Sequence, residues 1–392
     1  MHRRACLLVA LLTAGACSDP KTERRNRTPP ELPAGAPRLL RAAVACREGD
    51  DRWTDSTHVG SFGSAQIGSD GGARLLEAGT ARLLTYDRRG QLVDSLLPPA
   101  DATGWVAGAS LLRWRGDSLA IADATQRRVV VFTAAGVPSR TIDYGTVPEL
   151  VFSQLIGAAA DELLFRDIAP LSRTVRTTGL QQAPQPLRGW VEGASAARLI
   201  DTLRGEEVLV SGSLDSLPVF TTVPFGWMDL VAVVGGEMVT LRSRAPSIVQ
   251  RSGGPTGVSR VVWSFDSTTR VLGITDRLLL TQYSNMLLQP LNRADRAIAE
   301  RLQIETRPVP LVDDLRADDA GALWVRVTRG DAEPRRTWVQ LPAAGSGPTG
   351  CVVQPFGVAI EGIGQGAALT WEATETGQRR TLVAIGQTVV PP

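Results

Sequence analysis

Two stretches of this chain repeat one another 46 residues apart. Leu83-Leu84-Thr85-Tyr86-Asp87-Arg88-Arg89-Gly90 aligns with Val129-Val130-Val131-Phe132-Thr133-Ala134-Ala135-Gly136. Each copy is an alternating apolar run, a tight turn closed by glycine and a second short run, as a β-hairpin requires. Asp117 to Asp123 supplies a further strand upstream of the second copy, and Asp70 to Glu77 is its weaker equivalent before the first. The theme returns at Asp318-Asp319-Ala320-Gly321-Ala322-Leu323-Trp324-Val325, then at Trp338 to Leu341, and in a last hairpin from Leu369 to Ile385. From about Cys46 onward, short Val-, Leu-, Ile- and Trp-rich runs alternate with Gly, Asp and Pro clusters, so the chain reads as β throughout. A small sheet cannot bury both of its faces alone, so repeated sheets must cover one another.

A period in the forties with about four strands is the signature of a β-propeller blade. The Asp319 to Val325 and Phe132 to Gly136 segments resemble the six-bladed propellers of the NHL kind, whose blades carry a D-x-x-G-x-L-W-V strand and an Asp-x-x-Gly turn. The chain is similar to six-bladed-propeller bacterial lipoproteins of uncharacterised function. The shared layout is an early Trp53, a Val223-Pro224-Phe225-Gly226 segment and a helical insertion before the Trp-Val strand. That inserted helix is read over Leu291 to Ile304, where Ala294, Ile298 and Leu302 recur at four-residue steps. The resemblance implies an all-β fold with six blades of about 58 residues each, long for a compact blade, so seven blades is the alternative. Residues 145–290 depart most from the pattern. Strands from the two ends of the folded region are expected to complete one blade, which removes exposed sheet edges.

The N-terminus sets the compartment. His2, Arg3 and Arg4 precede an apolar run from Cys6 to Leu12, and Thr13-Ala14-Gly15-Ala16 set small residues before Cys17. This is a secretory signal, too short to span a bilayer as a mature helix. The cysteine after the small residues resembles a bacterial lipoprotein signal, with residues 1–16 removed and Cys17 lipidated. An ordinary signal cut nearby is the alternative, since Ala14 stands where such signals usually carry leucine. Residues 17–43 read as a Pro-rich tether, with Pro29, Pro30, Pro33 and Pro37, and residues 44–392 as the propeller. Ser18 rather than Asp after the cysteine favours the outer membrane in the lipoproteins it resembles. Cys46 and Cys351 remain, one near each end of the folded part, and the oxidising compartment favours a disulfide between them over two unrelated thiols.

The chemical inventory is spare. Net charge is +2, which predicts no broad attraction to nucleic acid, and Lys21 is the single lysine, so no phosphate-binding loop of the Walker type exists. Past the signal the chain has one histidine, His58, and no G-x-S-x-G elbow. One His and two separated Cys do not supply a zinc site. Gly362-Ile363-Gly364-Gln365-Gly366 leads into a strand-like Ala367 to Trp371 and reads as a turn between strands. Some propeller hydrolases hold a divalent cation in the channel with Asp, Glu and Asn; the candidates here are Asp123, Asp161, Asp313 and Asp314, with Asn285 and Asn292, although turn roles serve such acids equally. The nine tryptophans are spread along the chain, where packing between sheets is the expectation and a ligand-binding face the alternative.

The expected protein is therefore an exported, lipid-anchored, monomeric propeller. It acts as a non-enzymatic binding or scaffold module for an envelope protein, peptide or glycan, and needs no cofactor. The alternative is a propeller hydrolase or lyase with Ca²⁺ or another divalent ion in the channel. Fold alone does not choose between them.

Overall fold

The computed structural model describes residues 36–387 except 56–63, 78–81, 97–108, 169–178, 212–218, 253–256, 271–308, 329–335, 342–347 and gaps of one to three residues. The signal, Cys17, His58, Asp161, Asn285, Asn292 and the helix read over Leu291 to Ile304 all lie outside the described residues.

Six antiparallel sheets of four or five strands follow one another along the described chain. Sheet 1 spans Ala65–Ile67 to Leu92–Leu96, and sheet 2 spans Ser110–Arg113 to Pro138–Asp143. Sheet 3 runs from Ser153–Ala159 to Val219–Thr222, and sheet 4 from Leu230–Val234 to Ser259–Ser264. Sheet 5 runs from Val312–Ala317 to Gly350–Gln354 and takes Gly386–Gln387 as a fifth strand. Sheet 6 contains Val358–Gly364, Ala367–Thr374 and Gly377–Ala384, and its outer strand is Asp51–Asp55 from the other end of the chain.

First strands of neighbouring sheets touch from sheet 1 round to sheet 5 and again between sheets 6 and 1. The Arg316 Nη1 donates to the Ile360 carbonyl at 2.9 Å and closes the remaining step between sheets 5 and 6. Each of the six junctions has its own apolar cluster. Leu76, Leu83, Ile121 and Phe132 fill the first, and Tyr144, Leu155, Phe165 and Trp190 the second. Leu164 and Met238 pack between sheets 3 and 4, and Ile248, Val325 and Val339 between sheets 4 and 5. Trp324, Trp338 and Ile360 follow, and Ala73, Leu369 and Leu382 return to the start. The molecule is a β-propeller, and the two copies 46 residues apart are the third strands and outer turns of sheets 1 and 2.

Burial explains the residue choices. Leu119–Asp123 is buried at every position, because both faces of an inner strand are covered, and it reads as an unbroken apolar run until its final Asp. The outer strand Pro138–Asp143 is exposed except at Ile142, and polar outer strands discourage pairing between molecules. Asp87 accepts from the backbone N–H of Arg89 and Gln91, and Gly90 takes φ +79°, a conformation open to glycine at no steric cost. Asp318 and Gly321 repeat that turn, and the Asp318 carboxylate also receives the Trp324 indole N–H at 2.9 Å.

The ring closes through the pairing of Asp51–Asp55 with Gly377–Ala384, as expected for strands from opposite ends. The structure also joins Cys46 to Cys351, with Cα atoms 5.9 Å apart. The tether reading is corrected at its C-terminal end. Among the described residues Arg38–Val44 form a helix, α1, within the folded unit. Leu39, Leu40, Ala42, Ala43 and Val44 are buried in the cluster between sheets 4 and 5. The prolines end at Pro37, and the Leu-Leu-Arg-Ala-Ala-Val run behind them consists mostly of good helix formers with five apolar side chains to bury. The α1 start meets Asp266, which accepts from the Arg38 N–H at 2.7 Å, and the chain beyond its end reaches the disulfide.

Sheet 3 accounts for the poor fit of the middle of the chain. Its third and fourth strands, Gly179–Val191 and Arg198–Ser211, are 13 and 14 residues long and run past the end of Glu162–Asp167. Pro184 and Pro186 sit in that overhang, where the strand pairs on one side only, an edge position that tolerates proline.

Candidate functional site at the channel and loop face

Strand direction alternates within each sheet, so the connections after second and fourth strands emerge at one end of the ring. That end carries the longest connections, 97–109, 168–178 and 265–311, and is called the loop face below. Thr269–Arg270 pair with Val309–Pro310 at the root of the third of these, so the chain leaves and returns at one point between sheets 4 and 5. The opposite end holds the tight turns at 68–72, 87–91, 133–137 and 318–322.

Charged side chains gather on sheets 3 and 5: Asp313, Asp314 and Arg316 on a first strand, Arg166 and Arg326 on second strands and Arg336 on a third. In sheet 5, Arg326 Nε donates to Asp313 Oδ1 at 2.6 Å, and its Nη1 lies 3.6 Å from Asp314 Oδ2. Arg316 lies 3.7 Å from the same Asp314 oxygen, and Arg336 3.9 Å from Asp313. The Arg316 and Arg326 guanidiniums stand 4.7 and 5.6 Å from the Trp338 ring centroid, so one buried indole backs both. In sheet 3, Arg166 Nη2 donates to Gln154 Oε1 at 3.2 Å, while its buried Nε meets no acceptor among the described residues.

Burial pushes the Arg166 guanidinium below its ordinary value, and the Asp314 carboxylate partly restores it. Sheets 3 and 5 both adjoin sheet 4, so this field reaches past one intervening sheet. Burial likewise lowers Arg316 and Arg336, Asp314 and Asp313 respectively oppose it, and the neighbouring Arg326 charge adds to the lowering. Arg326 itself is desolvated, yet Asp313 and Asp314 outweigh that and raise it. Four guanidiniums thus share two carboxylates.

A second group lies between sheets 6 and 1. The Glu361 and Arg380 side chains are buried to within a few per cent, with Nε and Oε2 3.3 Å apart, and Glu361 Oε1 has no hydrogen-bond partner among the described residues. Burial raises the Glu361 carboxyl above 4.5, although Arg380 pulls it down. A raised acid favours the folded state most below its unfolded value, and that contribution is lost as pH climbs through the folded value. Melts of the wild type from pH 4 to 8 should therefore decline with pH in a way that Glu361→Gln flattens. A decline of equal steepness in the variant would assign it to other groups.

The remaining candidates have structural places. Asp123 caps the turn after its strand, accepting from Thr125 N–H at 3.1 Å and Gln126 N–H at 2.9 Å. Of the segment read as a turn, Gly362 to Gly364 belong instead to the strand Val358–Gly364, and only the residues just before Ala367 connect it to the next strand. Trp114, Trp190, Trp227, Trp324 and Trp338 are buried, as packing between sheets requires. Sequence reasoning picked out Asp313 and Asp314 as acids but missed their partners Arg316, Arg326 and Arg336, and missed Arg166. The available signal was Asp314 and Arg316 two apart on a strand whose other inward positions are apolar.

A channel cation fits these residues poorly. Among the described residues no group of three or more His, Cys, Asp and Glu could hold a metal ion. Asp313 and Asp314 face arginines, whereas Ca²⁺ takes six to eight oxygen ligands. Also among the described residues, no helix is long and apolar enough to cross a membrane, which leaves strand-built spans unaddressed.

No family model matches the chain, and no curated protein does. Solved structures similar to it include a member of the DUF4221 family from Bacteroides vulgatus, at 9% identity and TM-score 0.45, covering 86% of this chain and 97% of that one. A virginiamycin B lyase from Staphylococcus aureus is similar at 9% identity and TM-score 0.35, over 83% and 95% of the two chains. A gluconolactonase from Xanthomonas campestris is similar at 12% identity and TM-score 0.39, over 92% and 96%. Likeness at this level transfers no chemistry, and the class rests on the sheet order described above.

Proposed function

We propose that this protein is an exported propeller, anchored by lipid at Cys17 and acting as a monomeric, non-enzymatic binding module on the outer membrane. Its partner on the loop face is an envelope protein, a peptide or a glycan. The observation that carries the reading is the division of the ring's two ends: long connections and the channel charges lie toward one end, and tight turns lie at the other. In a closed ring the sheet edges that remain are outer strands such as the polar Pro138–Asp143, which resist extension, so recognition falls to loops and channel. The arginine-paired Asp313 and Asp314 and the Asp123 turn cap support binding over acid–base chemistry at these three acids.

A photo-crosslinking residue at Arg244, exposed on the loop face, should capture one defined envelope component in the native host. The same residue at Arg89, in a turn at the opposite end, should capture none. Capture from Arg89 alone, or from neither, contradicts the reading. Turnover of ester, lactone or glycoside substrates that disappears with chelator would instead favour the metal-dependent hydrolase or lyase. Intact-mass measurement of the mature protein tests the anchor: a lipidated Cys17 is expected, and an unmodified terminus elsewhere removes it.

A further inference from the structure

We propose that the pocket between sheets 3 and 4, at the end of the ring opposite the loop face, binds a small monocarboxylate with a short apolar tail through Arg251. This site goes beyond the loop-face reading and does not depend on it.

The pocket has an apolar floor and a charged rim. It encloses about 250 Å³ and opens to solvent. That is below the ~300–1,000 Å³ of sites for drug-sized molecules, so the guest is small. Ala159, Leu164 and Met238 are buried parts of the cluster between sheets 3 and 4, and Ile200 packs against it. Glu162, Arg198 and Arg251 line the same space. Strand register explains why they meet. Leu164, Gly189 and Arg198 are cross-strand partners in sheet 3, Met238 and Arg251 are partners in sheet 4, and such partners share a face. Glu162 stands two residues before Leu164 and so takes that face too.

Charge at the rim is unbalanced. Glu162 is committed: both of its oxygens lie 2.8 Å from Arg198 Nη2, and its carboxylate lies over Gly189, where a Cβ would stand 2.1 Å from Oε1. Arg251 is not committed. Among the described residues its one acceptor is the Ile200 carbonyl at 3.4 Å, and it makes no ion pair. The Ser252 hydroxyl beside it is engaged with the Val258 backbone. Guanidiniums stay charged, so two of them and one carboxylate leave one positive charge in excess. A single carboxylate matches that excess and suits the planar fork of Arg251. The apolar floor takes a tail, which phosphate and sulfate lack, and the flexible Met238 side chain lets the floor adapt to it.

A free acid and the C-terminus of a peptide present the same chemistry, so isocaproate and acetyl-Ala-Leu are titrated separately into the purified mature protein at neutral pH and low ionic strength. At least one should bind saturably, at one per chain, and weaken as salt is added. The tighter of the two identifies the source. The matching amides keep the tail and lose the charge, and should bind about tenfold more weakly or worse. Arg251→Gln should weaken the acid by a similar factor, the scale of one lost charge-assisted hydrogen bond. Ala159→Leu, which fills the floor, should also weaken it with every charge in place. Arg88→Gln, in an exposed turn of sheet 1, should bind as the wild type does. Thermal melting checks that each variant is folded, and an unfolded Ala159→Leu leaves the test to Arg251→Gln and the amides. No saturable binding by either acid, equal binding of acid and amide, or unchanged binding in folded Arg251→Gln overturns the proposal. Crosslinking from Arg244 reads the other end of the ring, so the two results are independent.

Discussion

Cys351→Ser is expected to lower the unfolding free energy by about 2–5 kcal/mol, measured by denaturant titration against the oxidised wild type. The covalent link joins residues 305 apart and therefore restricts nearly the whole unfolded chain. For so long a loop the chain-entropy model gives about 5–6 kcal/mol, from which native strain and residual unfolded structure subtract. The loss should be concentrated where the link acts. α1 is held by the apolar cluster between sheets 4 and 5 and, just beyond its end, by Cys46. Without the bond the helix keeps its packing, so the variant should still fold and bury Leu39 and Val44. A denaturation midpoint identical to that of the wild type would show that the link contributes nothing.

Asp229→Ala should cost about 3–5 kcal/mol, the range for breaking a buried, hydrogen-bonded charge. The Asp229 side chain is fully buried and accepts from the Arg204 N–H at 3.0 Å, the Ser243 N–H at 2.9 Å and the Ser243 hydroxyl at 3.2 Å. It also receives Arg242 Nη1 at 3.0 Å, and Arg242 binds Asp201 on the other side. Alanine leaves two backbone donors and a guanidinium without this acceptor, where sheet 3 meets the start of sheet 4. Burial alone would raise the Asp229 carboxyl, but these donors outweigh it and hold it below 3.8. A depressed acid contributes stability that is present above the unfolded value and lost as pH falls through the folded one. The wild type should thus lose stability below about pH 4 more steeply than Asp229→Asn does. Equal acid sensitivity in the two proteins would remove Asp229 from the account.

Much of the architecture is legible in the residues, and the exceptions share a cause. Leu83 to Gly90 and Val129 to Gly136 announce equivalent third strands because burial on both faces and a glycine-closed turn impose the same pattern twice. Sheet 3 hides its hairpins because its long strands extend beyond their neighbours, so alternation is no longer enforced by burial and Pro184 and Pro186 are tolerated. α1 reads as tether in the sequence because a seven-residue helix is too short to show periodicity, and the prolines before it dominate composition. The channel group was half visible. Asp313 and Asp314 are adjacent in sequence, but Arg166 lies about 150 residues away, two sheets earlier in the ring, a relation that no local pattern encodes.

The account stands on the ring being closed by the N-terminal strand, and hydrogen–deuterium exchange of the mature protein tests that most directly. The backbone amides of Asp51–Asp55 and of Gly377–Ala384 should exchange together, protected to nearly the same degree as the inner strand Ala367–Thr374. Exchange at Asp51–Asp55 as fast as in an unfolded chain, with Gly377–Ala384 behaving as an open edge, would contradict it.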